Sequence, residues 1–209
     1  MSLNNKTHQN CPHCDSEQEL NYYQSVNVTL NPELKNKILI GRLNESTCTN
    51  CHKGINILSG FLYHDMTQKI MLELTLANDR TVDHKEEDAK NQMRDKLIEQ
   101  GYIYRKLNHY YRLIEKITIF DQNLNDLVIE EVTVRMKAIL DESIKEVAST
   151  ESNSDFKVLF KKIESSLLKK EIVFNCFTHP RQMMEMKYDF ENLTSDEITN
   201  LYNQDVLRK

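Results

Sequence analysis

Val26, Val28 and Leu30 alternate with polar residues, and the same two-residue period returns at Ile70, Leu72, Leu74 and Leu76, the pattern of strands that bury one face. Ile55, Ile57 and then Phe61-Leu62 predict a further strand between them. One helix interrupts this region: "NPELKNKILIG" offers Asn31 as N-cap, Pro32 at the first helical position, where its missing N–H costs nothing, and Gly41 as the stop. After a polar joint, "ANDRTVDH" at 77–84, the period becomes helical. Ala89, Met93 and Leu97 fall four apart before Gly101; Leu107, Tyr110, Tyr111, Ile114 and Ile117 form a second segment; Leu124, Val128, Val132, Met136 and Leu140 form a third. Each has one apolar face, so the three are expected to pack together. "ASTESNSD" at 148–155 has the composition of a loop. Beyond it Phe156–Phe160, Ile172–Phe174 and Met184–Phe190 read as strands of an antiparallel meander. "TSDEITNLYNQ" then starts a terminal helix in which Thr194 and Glu197 are spaced as a capping box. The fold class is α+β, with N-terminal strands, a helical middle and a C-terminal antiparallel sheet and helix.

Composition narrows the class. With 209 residues, 28% of them charged, and only 4 Gly and 3 Pro, the chain is long enough for a sizeable core and too ordered in composition for disorder. A formal net charge of −5 and a pI near 5.8 disfavour phosphate backbones and anionic lipid, which both call for concentrated Lys and Arg. The first ten residues, "MSLNNKTHQN", are polar and lack a signal peptide's apolar run, and no stretch approaches the roughly 20 apolar residues of a membrane span. A cytoplasmic protein is expected, with no membrane contact; Met1-Ser2-Leu3 is set aside from the fold. The sequon Asn27-Val28-Thr29 then has no meaning. Cytosolic thiols stay reduced, so the five cysteines should be free, catalytic or metal-bound.

Those cysteines carry the chemistry. "CPHC" at 11–14 and "CTNC" at 48–51 repeat one two-residue gap. Two such turns brought together by intervening strands supply four sulfurs about 2.3 Å from one Zn²⁺, a tetrahedral shell. Cys11, Cys14, Cys48 and Cys51 are therefore the candidate metal ligands, in a zinc-ribbon-like β region. Four thiolates and a dication sum to −2, which takes the formal charge from −5 to −7 and calls for donors around the sulfurs. Lys53, His13, His52 and the turn amides are the nearest. The competing use is redox, because Cys-Pro-His-Cys also serves thioredoxin-like oxidants. That setting needs a preceding strand and a βαβ pattern, whereas only polar residues precede Cys11. The 33 residues between the pairs exceed the ~15–20 of a compact ribbon, and an inserted helix accounts for the excess.

With both pairs in place, residues 9–75 resemble the CpXC domain, a bacterial and archaeal family named for its Cys-Pro-x-Cys motif. "CPHC", "VNVTLNPELKNKILIGRLN" at 26–44, "CTNC" and "LYHD" at 62–65 follow one another in the family's order. "LIEKITIFDQNLNDLVIE" at 113–130 resembles the segment after the cysteine region. Asp15 and His52 depart from the pattern by standing where a zinc knuckle often has Gly. The resemblance implies zinc binding and no established activity. With the loop-like stretch at 148–155 as the boundary, the chain is expected to divide into a CpXC-like zinc-binding region with a helical extension, 1–147, and a C-terminal β-plus-helix portion, 148–209, packed as one unit with the first.

Other clusters have bland readings beside functional ones. Tyr63, His64 and Asp65 put a base or ligand beside a carboxylate, yet a capped turn between strands explains Asp65 equally well. Glu115, Asp121, Asp126 and Glu130 form an acidic group, with Asp126 and Glu130 on one helical face, fit for a divalent cation, a basic partner or plain solvent. Cys176, among apolar neighbours in "IVFNCFTH", reads as core. Met183, Met184 and Met186 near Phe190 read as strand packing rather than a copper site, and His179-Pro180 as a turn. The functional expectation is a zinc-binding interaction or scaffold module with a protein partner, and with room for a homo-oligomer. No catalytic set stands out. The alternatives are a metal-dependent enzyme using His64 and Asp65, a thiol oxidoreductase, and a nucleic-acid-binding ribbon using Arg105, Lys106 and Arg112 with Tyr104 and Tyr111.

Overall fold

The computed structural model describes residues 2–76, 84–147, 156–178 and 182–208. Most of the polar joint at 77–84, the loop at 148–155, His179-Pro180 and the side chain of Ala89 lie outside the described residues. The chain forms two compact units, Met1–Ile114 with Arg208–Lys209, and Glu115–Leu207. The mixed α+β content follows the sequence pattern: strands first, helices in the middle, an antiparallel sheet and a helix last.

The first unit begins with β1 (Leu3–Asn10) and β2 (Glu17–Asn27), an antiparallel hairpin. The polar N-terminus is thus a strand, which the sequence pattern did not predict. Its residues are almost all exposed, so no buried face imposes the alternation that marks a strand. β2 ends at Asn27, short of Leu30. The Asn27 carboxamide oxygen accepts from the amides of Thr29 (3.1 Å) and Leu30 (3.2 Å) and turns the chain. α1 (Pro32–Leu39) follows with Pro at its start and Gly41 at φ 71 just past its end. Asn31 precedes α1 without a side-chain cap bond, and its Oδ1 accepts from Ser2 Oγ instead (2.8 Å).

Two short strands, β3 (Glu45–Thr47) and β4 (Gly54–Asn56), then pair as a separate hairpin, and β5 (Phe61–Asp65) and β6 (Ile70–Leu74) return to the main sheet. The Ile55–Leu62 stretch is therefore two strands. After α2 (His84–Glu99), closed by Gly101 at φ 80, β7 (Ile103–Leu107) completes the sheet in the order β1-β2-β5-β6-β7. β2 with β5 and β6 with β7 are parallel, and each such pair is joined by a helix-containing crossover. α2 packs against β7. Met93 is exposed and Leu97 half-buried, so the expected joint packing of three apolar helix faces does not describe α2. Leu107 belongs to β7 and not to the following helix. Arg208 returns to this unit, its guanidinium donating to the carbonyls of Gly101 (2.8 Å) and Gln68 (2.9 Å).

α3 (Tyr110–Asp121) leads the chain into the second unit. There α4 (Asp126–Val147) is capped by Asn125, whose Oδ1 accepts from the Leu127 amide (3.0 Å). β8 (Lys157–Ser165), β9 (Lys170–Thr178) and β10 (Gln182–Asp189) form the expected meander, with β9 central. α5 (Ser195–Leu201) carries the expected capping box of Thr194 and Glu197. The core joins Val128, Val132, Met136 and Leu140 of α4 to Val158, Phe160, Ile172, Phe174 and Cys176 of the sheet.

Candidate metal centre

Each cysteine pair sits on the turn of a hairpin, Cys11 and Cys14 between β1 and β2, Cys48 and Cys51 between β3 and β4. The two turns are built alike. Cys11 N donates to Ser16 O (2.9 Å) and Asp15 N to Cys11 O (2.9 Å); Cys48 N donates to Lys53 O (2.9 Å) and His52 N to Cys48 O (3.1 Å). Closing either turn forces the residue after the second cysteine into the left-handed region, Asp15 at φ 59 and His52 at φ 58. Glycine adopts that conformation freely, which gives the departure noted in the sequence its physical content. Buried Asn44 fixes the second hairpin to the sheet: its Oδ1 accepts from Tyr23 N (2.9 Å), and its Nδ2 donates to Ile57 O (3.2 Å).

The four sulfurs converge to within 4.8 Å of one another. Cys11 Sγ lies 3.7 Å from Cys51 Sγ, and Cys14 Sγ 3.7 Å from Cys48 Sγ. A tetrahedron with metal–sulfur bonds near 2.3 Å has edges of about 3.8 Å, so the cluster is compatible with a metal site. None of the cysteines is disulfide-bonded. Cys11 and Cys48 are buried over a small apolar cluster with Leu20 and Ile55, while Cys14 and Cys51 are half-buried.

Donors surround the sulfurs. His13 N approaches Cys11 Sγ (3.5 Å), and the amides of Asn50 and Cys51 approach Cys48 Sγ (3.4 Å each). Ser16 Oγ lies 3.1 Å from Cys14 Sγ and 3.6 Å from Cys48 Sγ, and Asn50 Nδ2 lies 3.6 Å from Cys14 Sγ. The side chains expected in this role, His13, His52 and Lys53, are exposed, and among the described residues none of them hydrogen-bonds a sulfur. Ser16 and Asn50 were missed; the sequence signal is a small polar residue just past, or just inside, a cysteine pair.

Cys14, Cys48 and Cys51 differ sharply in what their surroundings do to the thiol. The Ser16 hydroxyl and amide, with the Asn50 carboxamide, pull Cys14 down to about 5. Cys48 is lowered, first by the Cys51 amide. At Cys51 the Lys53 amide favours the thiolate, but burial and the three neighbouring thiols outweigh it and push the group up to about 11. The donors thus favour the thiolate at Cys14 and Cys48, and the neighbouring thiols disfavour it at Cys51.

The redox alternative loses part of its counter-argument, since a strand does precede Cys11. That strand is antiparallel to β2, and the Cys-Pro-His-Cys turn joins two strands instead of opening a helix, so the helix N-terminus that lowers an oxidant's thiol pKa is not there.

Elsewhere the candidate groups are engaged structurally. Asp65 Oδ1 accepts from the amides of Thr67 and Gln68 (3.0 Å each) and caps the β5–β6 turn. His64 Nε2 lies 3.1 Å from the Tyr102 hydroxyl, and burial holds its imidazole below the usual value. Lys116, buried, pairs with Asp126 and Glu130, and buried Glu115 accepts from Phe160 N (2.8 Å). The acidic group thus holds a lysine that the sequence did not mark as its partner. Cys176 is fully buried, which raises its thiol pKa. Met183 and Met184 are exposed on successive, oppositely facing positions of β10, and Met186 packs on the core. Tyr104 donates to Glu73, while Arg112 lies over the Tyr111 ring at 5.8 Å.

An α+β chain whose N-terminal hairpins bring two Cys-x-x-Cys turns to one point defines a class of cysteine-centred protein. The chain belongs to the CpXC family: that family's model, described as CpXC protein, matches residues 10–133, more than half of the sequence and all four clustered cysteines. No curated protein and no solved structure matches the chain.

Proposed function

We propose that Cys11, Cys14, Cys48 and Cys51 hold one structural Zn²⁺, and that the protein is a cytoplasmic interaction or scaffold module with a protein partner. The observation that carries the metal assignment is the pair of 3.7 Å sulfur–sulfur distances across the two turns, close to the edge of a zinc tetrathiolate. Bound zinc supplies a rigid cross-link between the hairpins; the chain's own amides and Ser16 hold the thiolates. Four sulfurs close the shell and leave no position for a substrate water, which favours binding over catalysis, as does the engagement of Asp65 in a turn. Net charge favours a protein partner over a polyanion, and β1, an exposed sheet edge, is a surface to which another chain can add.

Elemental analysis of freshly purified, reduced protein tests the centre. About one zinc per chain is expected from one complete shell; no metal would remove the assignment, and iron would replace zinc by another thiophilic metal. Nucleic-acid binding that weakens steeply with salt would overturn the choice of partner.

A further inference from the structure

Two of the four cysteines, Cys14 and Cys51, are half-buried while the other two are buried, and the sulfurs of these two half-buried residues differ in their surroundings. Cys14 Sγ has Ser16 Oγ at 3.1 Å and Asn50 Nδ2 at 3.6 Å. Among the described residues no side-chain O–H or N–H reaches Cys51 Sγ, whose neighbour is Cys11 Sγ at 3.7 Å. The direction of the Ser16 bond is fixed by a chain anchored on the backbone. Thr49 N can only donate, and it donates to Gln18 Oε1 (2.9 Å), as does the Thr49 hydroxyl (2.9 Å). This sets the orientation of the buried Gln18 carboxamide, so its Nε2 is what faces Ser16 Oγ (3.0 Å) and must donate to it. Ser16 accepts there, and its single proton is directed at sulfur: Cys14 at 3.1 Å, with Cys48 at 3.6 Å as the longer contact.

We infer that Cys51 is the nucleophilic sulfur of the metal-loaded centre, open to soft carbon electrophiles, and that Ser16, aimed by Gln18 and Thr49, is the positioning residue that shields Cys14 from the same reaction. This rests on the zinc assignment above. In a tetrathiolate centre of charge −2, the lone pairs not shared with the metal stay electron-rich, and each donor draws on that density and occupies an approach to it. Cys14 receives two such side-chain donors. Each of the two half-buried cysteines also has one backbone amide, that of Ser16 at Cys14 and that of Lys53 at Cys51, but among the described residues Cys51 receives no side-chain O–H or N–H donor. It is half-buried like Cys14; Cys11 and Cys48 are buried. With a haloacetamide, a Cys51 lone pair attacks the CH₂ carbon, the S–C bond forms, and the C–I bond breaks with iodide taking its electron pair. No redox partner is needed, and the product thioether is a neutral, weaker ligand.

The test uses the full chain with its zinc content measured first, substoichiometric iodoacetamide, and peptide mapping over time, with zinc release followed in parallel. Cys51 should be alkylated about tenfold faster than Cys14, the kinetic equivalent of one hydrogen bond to a charged group, and buried Cys176 should not react. Ser16→Ala should raise the Cys14 rate by about the same factor and leave Cys51 unchanged, and Ser16→Thr should restore protection. Gln18→Glu is an independent variant: a carboxylate accepts from Thr49 and from Ser16 alike, draws the Ser16 proton off sulfur, and should also speed Cys14. Equal rates at Cys14 and Cys51, or a Cys14 rate indifferent to Ser16→Ala and Gln18→Glu, would overturn the inference while leaving the zinc centre standing. Protein purified without metal would overturn both.

Discussion

A single lysine decides what the acidic residues at the start of α4 do. Lys116 and Asp126 are 3% and 0% exposed, and Lys116 Nζ bridges Asp126 and Glu130. A cation is already in place there, supplied by the chain. Lys116→Met should cost about 3–5 kcal/mol, because it removes the charge that compensates a buried carboxylate. Urea unfolding measures this, and a loss below about 1 kcal/mol would show that Asp126 is satisfied without the lysine. His52, at φ 58, presents the opposite case. His52→Gly should raise stability by up to about 1 kcal/mol, since glycine carries no Cβ clash in the left-handed region. The gain should appear as a higher denaturation midpoint with metal content unchanged.

At the scale of elements, α5 shows local chemistry specifying structure. Thr194 Oγ1 accepts from Glu197 N (3.2 Å), Glu197 Oε2 accepts from Thr194 N (2.8 Å), and Arg135 of α4 also pairs with the Glu197 carboxylate. Arg135 first, then the Thr194 amide, hold Glu197 down to about 2 from its ordinary 4.5. A carboxyl whose folded pKa is depressed stabilises fully above its unfolded pKa, and that contribution fades as pH falls through the folded value. Glu197→Gln should therefore cost about 1 kcal/mol at pH 7, and the difference from the unaltered protein should shrink between pH 4.5 and 2. Unfolding curves at pH 7 and pH 3 check the sign; a cost independent of pH would place the effect in packing.

The same scale explains what was legible in the sequence. α1, α5 and the C-terminal meander announced themselves because caps, stops and alternation are local. β1 did not, since its exposed residues need no apolar period, and β7 did not, since Ile103 is its one fully buried residue and Leu107 fits the helical spacing that follows. The parallel pairings of β2 with β5 and β6 with β7 join residues more than 30 positions apart, which no window of sequence reveals. The cysteine cluster was legible from spacing alone. Its donors were not, because Ser16, Gln18 and Asn50 matter only once two distant turns meet.

Over the whole molecule, the cysteine hairpins differ from both the rest of the main sheet, with its buried Val26, Leu72 and Ile103, and the second unit in what holds them. Around the cysteines the buried apolar cluster consists of Cys11, Leu20, Cys48 and Ile55, with Cys14, Cys51 and Ile57 at its edge. Two of its four buried members are themselves candidate ligands, so little hydrophobic burial remains if the sulfurs are released. Such a cluster is too small to offset the chain entropy of two hairpins, and on the proposed zinc assignment the metal's binding free energy serves as folding free energy. Among the described residues the second unit has a core of seventeen buried residues running from Ile119 to Leu201, and none of the four clustered cysteines belongs to it. Chelation should thus act locally. In hydrogen exchange followed by mass spectrometry, segments 10–20 and 44–57 should lose protection when a strong chelator is added, while 157–178 keeps it. Cys11→Ser should reproduce that pattern without chelator, because removing one ligand opens the shell, whereas Cys176→Ala, which leaves a small cavity among Val158, Phe174 and their neighbours, should loosen 157–178 and leave the hairpins protected. Protection at 10–20 and 44–57 that survives both chelator and Cys11→Ser would mean that the hairpins hold themselves, and that the metal is a passenger in this fold.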